Sequence, residues 1–488
     1  MDRKTSTPSP VWSDPLIERY ASPEMVRIWS PQHRYALWRR LWLALAEAQH
    51  ELGLTGPDGV TPRIRAEQLE AMRRHLDDID LERVAEYERR VRHDVMAHIQ
   101  AFAEVCPEAR DIIHLGATSC YVTDNADIVL MRESLAWLRE RLAACIRELA
   151  RFARRWRDLP TLGSTHYQPA QLTTVGKRAC LWLYDLVLDY HELDRRHHEL
   201  RLRGVKGTTG TQASFLLLFG GDHEKVRQLE RRVAQKMGFE RVHPVTGQTY
   251  TRKADLQVLQ TLAGIGVSAH KFGTDLRLLQ HDGELEEPSE SEQVGSSAMP
   301  HKKNPMRAER LCSLARYLLG LPEMLAHTAA TQWLERTLDD SAVRRLVLPQ
   351  AFLCADAVLR LYHNIVAGLV VHEPAIRRRV AEYLPFLAAE PLLMRAVRQG
   401  GDRQMLHELL RRHCRAVAER MHSGADNDLL ARLRREPAFA QVEFADLADP
   451  KTFLGRAPEQ VDEFLLSEVD PIVQKHAGGT TPDHQLQV

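Results

Sequence analysis

Leu135, Leu138, Leu142, Cys145, Leu149, Phe152 and Trp156 follow one another at alternating spacings of three and four residues. This is a heptad seam, and it predicts a long helix that buries one stripe against another long helix. Matching helical patterns cover about 253–281, 305–330 and 343–370. A further one follows Pro169 and runs through Leu172, Val175, Ala179, Trp182 and Leu186 toward Arg203. Strand signals are nearly absent. Long antiparallel helices with short connections predict an all-α chain built on a helical bundle. Breaks at Leu115-Gly116 and His372-Glu373-Pro374 divide it into three helical domains: 1–118, a central long-helix bundle over 119–371, and 372–488. The first dozen residues and the tail from Gly478 are polar and are expected to fray.

The bulk chemistry narrows the function classes. The chain carries 66 basic and 66 acidic side chains, so no global field points to nucleic acid or an anionic membrane. Seven cysteines are dispersed without a CxxC pair, which argues against a disulfide framework and for a reducing compartment. No Cys/His cluster has zinc spacing, so no metal is expected. The first residues, MDRKTSTPSPVWSDP, lack the apolar stretch of a signal peptide, and no run is long and apolar enough to span a bilayer. A soluble cytoplasmic protein is the expectation. Only 11 lysines stand against 55 arginines, which singles out Lys206, Lys302 and Lys303 as more than interchangeable surface charge.

Polar chemistry gathers where glycine and proline interrupt the helices. Gly295-Ser-Ser-Ala-Met-Pro300-His-Lys-Lys-Asn-Pro305 sets two hydroxyls, three potential cations and an amide between helix breakers, and predicts a loop. His114-Leu-Gly-Ala-Thr118-Ser119 precedes the seam helix, where Thr118 or Ser119 can serve as its N-cap beside Asp124 and Asn125. His166 lies in Thr161-Leu-Gly-Ser-Thr165-His-Tyr-Gln-Pro169, with Thr165 and Gln168 placed to orient it. A lone histidine is usually structural, but imidazole titrates near neutrality and suits proton transfer. Arg92-His93-Asp94 reads as part of a helix face, and Glu335–Ser341 with Arg344 and Arg345 as a charged helix start.

These blocks resemble the fumarase/aspartase superfamily over nearly the whole chain, and within it the adenylosuccinate lyase family, closer to the animal-type members than to the shorter bacterial ones. The finer likeness rests on Arg19-Tyr-Ala-Ser-Pro-Glu-Met25, Arg92–His98, Ser164–Gln171, Lys206–Thr211, the Gly295–Pro305 loop and Glu335–Ser341. Argininosuccinate lyases, the nearest alternative, lack the first of these. A catalytically silent helical scaffold of the superfamily is the other reading, disfavoured by the joint presence of Ser296, His166, Lys302 and Asn304.

The resemblance implies β-elimination of fumarate from adenylosuccinate and from the succinyl-carboxamide imidazole ribotide. Ser296 would be the base, with Lys302 and loop N–H groups favouring its alkoxide. His166 would be the acid on the leaving nitrogen, and His93 a supporting residue. Asn304, Thr118 and Ser119 would bind the fumaryl carboxylates. Arg19, Tyr20, Arg310, Arg336, Ser341 and Arg345 would hold the phosphate. Gln248, Arg92, Asp94 and Thr165 would complete the substrate contacts. The resemblance further implies no metal or organic cofactor, and a homotetramer with the long helices in a shared core and active sites assembled from several subunits. His301 and Lys303 depart from the tyrosine and arginine usual in animal-type relatives; both changes keep polarity or charge.

Overall fold

A computed structural model describes residues 12–290, 293 and 298–478. Ser296 lies outside them, as do the first eleven residues and the tail beyond Gly478. Helices dominate. Five long ones, Ser119–Arg155, Val175–Glu199, Lys253–His281, Met306–Ala330 and Asp340–Ala367, pack side by side as a closed bundle. The seam residues Leu135, Leu138, Leu142, Cys145 and Leu149 are all fully buried, as their spacing requires. At 37 residues, the Ser119–Arg155 helix is about 55 Å long. The bundle therefore has two distant ends. The starts of Ser119–Arg155, Lys253–His281 and Asp340–Ala367 share one; the ends of the same three helices and the starts of Val175–Glu199 and Met306–Ala330 share the opposite one.

One apolar core runs from Leu16 to Ile472 and takes in the N-terminal helix Pro31–Glu51, whose Trp38, Trp42 and Leu45 lie against the bundle. A separate core built on Leu392, Leu406, Leu410, Leu429 and Leu433 lies within residues 388–447, with Phe386 and Phe453 packed against it.

The helix expected from Pro169 is not there. Residues 160–174 form an antiparallel hairpin, Pro160–Thr165 with Gln168–Thr174, and the helix begins at Val175. A β-branched run, Thr173-Thr174-Val175, favours extended chain there. Thr174 supplies the real N-cap, its hydroxyl accepting from the Lys177 N–H at 3.0 Å. His166 and Tyr167 are the two turn residues, both with left-handed backbone (φ 52° and 57°), as a two-residue hairpin turn demands. Nor are residues 92–94 a helix face: Arg92 (φ 54°) ends the Leu81–Val91 helix and His93 caps the Asp94–Val105 helix.

Directly after the hairpin, Gly176 lets the two first bundle helices cross closely. A Cβ there would sit 2.6 Å from Arg157 Cα and 2.7 Å from its nitrogen, both backbone. Gly176→Ala is expected to cost about 1–3 kcal/mol through overpacking, read as a lowered melting temperature in a thermal unfolding scan; an unchanged melting temperature would show that the crossing can relax.

Candidate active site

Three helix starts and two loops converge at one end of the bundle on a cleft of about 490 Å³. Its base is a buried charge network. Arg252 grips Asp124 through both terminal nitrogens (3.1 and 3.0 Å) and Asp340 through Nε (2.6 Å). Arg344 bonds Asp255 at 2.8 Å and Asp127 at 3.1 Å, while Arg34 reaches Asp127 from the N-terminal helix at 3.1 Å. The Tyr250 hydroxyl donates to Asp255 and accepts from Arg344. Burial pushes the Tyr250 phenol far up, so it keeps its proton and remains the donor. Burial would likewise raise the Asp124 carboxyl, but Arg252 and Arg344 overcome it and hold the group below its ordinary value.

Above this base stand the side chains that face the cleft. Gln248 Nε2 donates to Thr118 Oγ1 at 3.1 Å, so Thr118 occupies the N-cap position with its hydroxyl turned to Gln248 instead of to its own helix. His93 Nδ1 accepts the Met96 N–H at 3.3 Å, which in the neutral ring leaves the proton on Nε2, 3.3 Å from Ser119 Oγ. Arg345 is tethered to Asp94 at 2.8 Å and Arg336 to Asp340 at 3.1 Å. His93, Asp94, Ser119, Gln248, Arg336, Ser341 and Arg345 thus line one cleft. Its wall adds Trp29, Tyr35 and Trp38, with neutral His98 behind: burial drives that imidazole down to about 4. His114, from the same loop as Thr118, is structural; it accepts from Trp42 Nε1 at 2.8 Å, and burial lowers it to about 4.

The remaining sequence candidates are elsewhere. His166 and Thr165 sit on the exposed tip of the hairpin, at the far end of the bundle. Lys302 and Asn304 precede the Met306–Ala330 helix at that same end, and Arg310 lies one turn into it. Arg360 donates to the Tyr20 and Ala21 carbonyls at 2.7 and 2.9 Å, and neither Arg19 nor Tyr20 lines the cleft. Arg92 borders the cleft without lining it. Of the singled-out lysines, Lys206 is buried and paired with Glu230 at 2.9 Å, and exposed Lys303 pairs with Glu286 at 2.9 Å.

Two buried acids anchor the far-end loops. Glu284 takes Thr161 Oγ1 (3.0 Å), Arg178 and Arg379; Glu287 accepts the Arg307 and Ala308 N–H groups (2.9 and 2.8 Å), capping their helix. Neither was read from sequence, nor were the roles of Arg34, Asp127, Arg252 and Asp255. The available signal was a set of charged residues inside apolar helical runs, such as Asp124 and Asp127 within Cys120–Met131. Among the described residues no group of His, Cys, Asp and Glu is arranged to hold a metal ion.

Fold and cleft place the chain among the helical-bundle lyases: residues 18–320 match the lyase family, and residues 385–464 match the adenylosuccinate lyase C-terminus. It is 49% identical to adenylosuccinate lyase of Saccharomyces cerevisiae, over 95% of this chain and 96% of that one. Against that of Schistosoma mansoni the identity is 46%, over 95% and 96%. The chain belongs to the adenylosuccinate lyase family. Its fold is shared with fumarate lyase from Mesorhizobium sp. BNC1 (TM-score 0.79, 23% identity, 94% of this chain and 100% of that one). A 3-carboxy-cis,cis-muconate lactonizing enzyme from Pseudomonas putida is equally similar in fold (TM-score 0.79, 25% identity, 94% and 99%).

The charge network generates a pH prediction. Asp124 titrates below the unfolded-chain value of about 3.9, so its charge stabilises the fold above that pH and the contribution is lost as pH falls through its folded value. In Arg252→Met, burial is less opposed and Asp124 protonates at higher pH. The acid-unfolding midpoint, followed by circular dichroism, is expected to move to higher pH, with a loss of about 3–5 kcal/mol at neutrality from unpairing buried carboxylates; an unmoved midpoint would contradict this account of the network.

Proposed function

We propose that this enzyme releases fumarate from adenylosuccinate to give AMP, and from the succinyl-carboxamide imidazole ribotide to give its carboxamide product, in purine nucleotide biosynthesis. The observation that carries the reading is the cleft, where Gln248, Ser119 and the Nε2–H of His93 adjoin Arg336 and Arg345, in a chain nearly half identical to the yeast enzyme. Two guanidiniums beside a neutral donor suit a nucleotide phosphate. The His93 tautomer favours donation to substrate or to Ser119 over proton abstraction.

In the proposed reaction Ser296 removes the proton next to a carboxylate, and the electron pair moves into that carboxylate as an aci-carboxylate. The pair then returns to form the carbon–carbon double bond as the C–N bond breaks, and His166 protonates the departing nitrogen. The dianionic intermediate needs fixed donors and cations, the role given to Lys302, Asn304, Thr118 and Ser119. Arg310, Arg19 and Tyr20 would join Arg336, Ser341 and Arg345 around the phosphate; Arg92, Asp94 and Thr165 would steady the acid side. No cofactor enters, because the substrate's own carboxylate is the electron sink.

Within one chain the proposed acid and the cleft lie at opposite ends of a helix about 55 Å long. An antiparallel assembly of identical chains brings one subunit's far end to another's cleft, and a homotetramer with shared sites is the form we propose. An apolar stripe favours it: Leu181, Leu188 and Val267, on two neighbouring bundle helices, are each more than half exposed. The seven unpaired cysteines, six of them buried, fit work in a reducing compartment, the cytoplasm.

Incubating the purified protein with adenylosuccinate and, separately, with argininosuccinate tests the reaction; fumarate from the second and none from the first would overturn it. Ser296→Ala should lose at least about a hundredfold in turnover yet still bind substrate in calorimetry, and near-normal turnover would move the base elsewhere. Mixed and subunit-exchanged, inactive His166→Gln and His93→Gln variants should regain activity. No recovery after exchange verified by mass spectrometry would count against shared sites.

A further inference from the structure

A second pocket, of about 350 Å³, lies behind the segment that brings Gln248 to the cleft. Its lining includes Arg196, Arg201, Arg241, His243, Thr251 and Gln257. Two of these arginines lack a carboxylate partner. Arg201 has no hydrogen-bond or ion-pair partner among the described residues, and Arg241 donates only to the His198 carbonyl, at 3.1 Å. Arg196 shares Glu192 with Arg195 and bonds Gln257 at 2.9 Å, while its Nε is buried with no partner at all. The one acid in the lining, Glu199, is taken up by Arg195. A concave site with this surplus of guanidinium is short of an anion.

Backbone pairing holds the cations in place. The Leu202 N–H donates to the Arg241 carbonyl (3.1 Å) and the His243 N–H to the Leu202 carbonyl (2.9 Å), setting Arg201 alongside Arg241 and His243. The His243 ring is stacked on Tyr250, 5.4 Å between centroids, and is driven down to about 4 by burial and then by Arg201 and Lys206. Two residues beyond Arg201, fully buried Arg203 donates to the Gln248 carbonyl at 2.8 Å. The same short stretch therefore carries a pocket cation on one side and the support of a cleft residue on the other.

We propose that this pocket is a second anion site, one that takes a phosphate group, free or carried on a nucleotide, behind the Gln248 segment. Phosphate oxygens meet Arg201 and Arg241, with Arg196 adding its charge from the pocket wall, and the Thr251 hydroxyl is available as a further donor.

The test is calorimetric titration of the full-length protein with inorganic phosphate and, separately, with ATP, which distinguishes the two sources. Binding is read without turnover, so it stands independently of the lyase reading. Arg201→Gln breaks no hydrogen bond and should weaken the binding of at least one probe about tenfold, the loss of one charge-assisted contact, and Arg201→Gln/Arg241→Gln further. Arg345→Gln, on the cleft, should leave that binding intact. Binding unchanged in the Arg201 variants, binding lost only in Arg345→Gln, or no binding of either probe at millimolar concentration would each overturn the proposal.

Discussion

The grip of Arg252 on Asp124 and Asp340 is the contact on which the rest of the cleft depends. It ties the second turn of Ser119–Arg155, the entry to Lys253–His281 and the start of Asp340–Ala367 at one point. Ser119, Gln248, Arg336, Ser341 and Arg345 hang from these three segments or from the loops that enter them, while His93 and Asp94 come from the start of Asp94–Val105 and Tyr35 and Trp38 from Pro31–Glu51. A buried ion pair stabilises little in net terms, because stripping water from both charges offsets their attraction. Its consequence here is register. Were the Asp340–Ala367 helix to slip by one residue, Asp340 and Arg344 would lose Arg252 and Asp255 together, leaving several unpaired buried charges. The lower part of the cleft is thereby rigid, while Arg336 and Arg345 project from it, each tethered by one carboxylate.

A bundle with helices this long cannot bring both its ends to one substrate. The hairpin illustrates the consequence. Its base is locked by Thr161 on Glu284, but its tip, with His166, stands in solvent with two left-handed turn residues and no described partner for the imidazole. An exposed, well-anchored hairpin is a poor active site alone and a good part for another chain's. Its order is built into the single chain, through the ladder of its two strands and the Thr161–Glu284 contact.

Long, strongly periodic helices were legible, and so was the all-α class: the Leu135–Trp156 seam and the patterns near 253, 305 and 343 lie where the helices are. The hairpin was not, because Pro169 imitates a helix start and the capping Thr174 lies five residues on. The sequence puts His93 on a helix face because two short helices, separated by left-handed Arg92, look like one continuous pattern. The cleft's facing residues came from motifs. Its base did not, since Asp124, Arg252 and Arg344 find each other only through tertiary packing, across more than 200 residues of chain. What sequence does hold is an anomaly, charge within apolar helical runs, without the pairing that resolves it.

The fold by itself does not select the reaction. A fumarate lyase and a muconate lactonizing enzyme share it with this chain at the same TM-score. Selection must come from side chains at the bundle ends, and these lie on loops whose anchors are buried acids and arginines. Arg203 under Gln248, Glu284 under the hairpin and Glu287 under the loop before Met306 are such anchors. Each fixes a loop's root without touching the cleft, so the loop's outer residues are free to change chemistry while the bundle beneath is kept. That division leaves the outer positions, here Gln248, Arg336 and Arg345, open to change while the bundle beneath them stays the same.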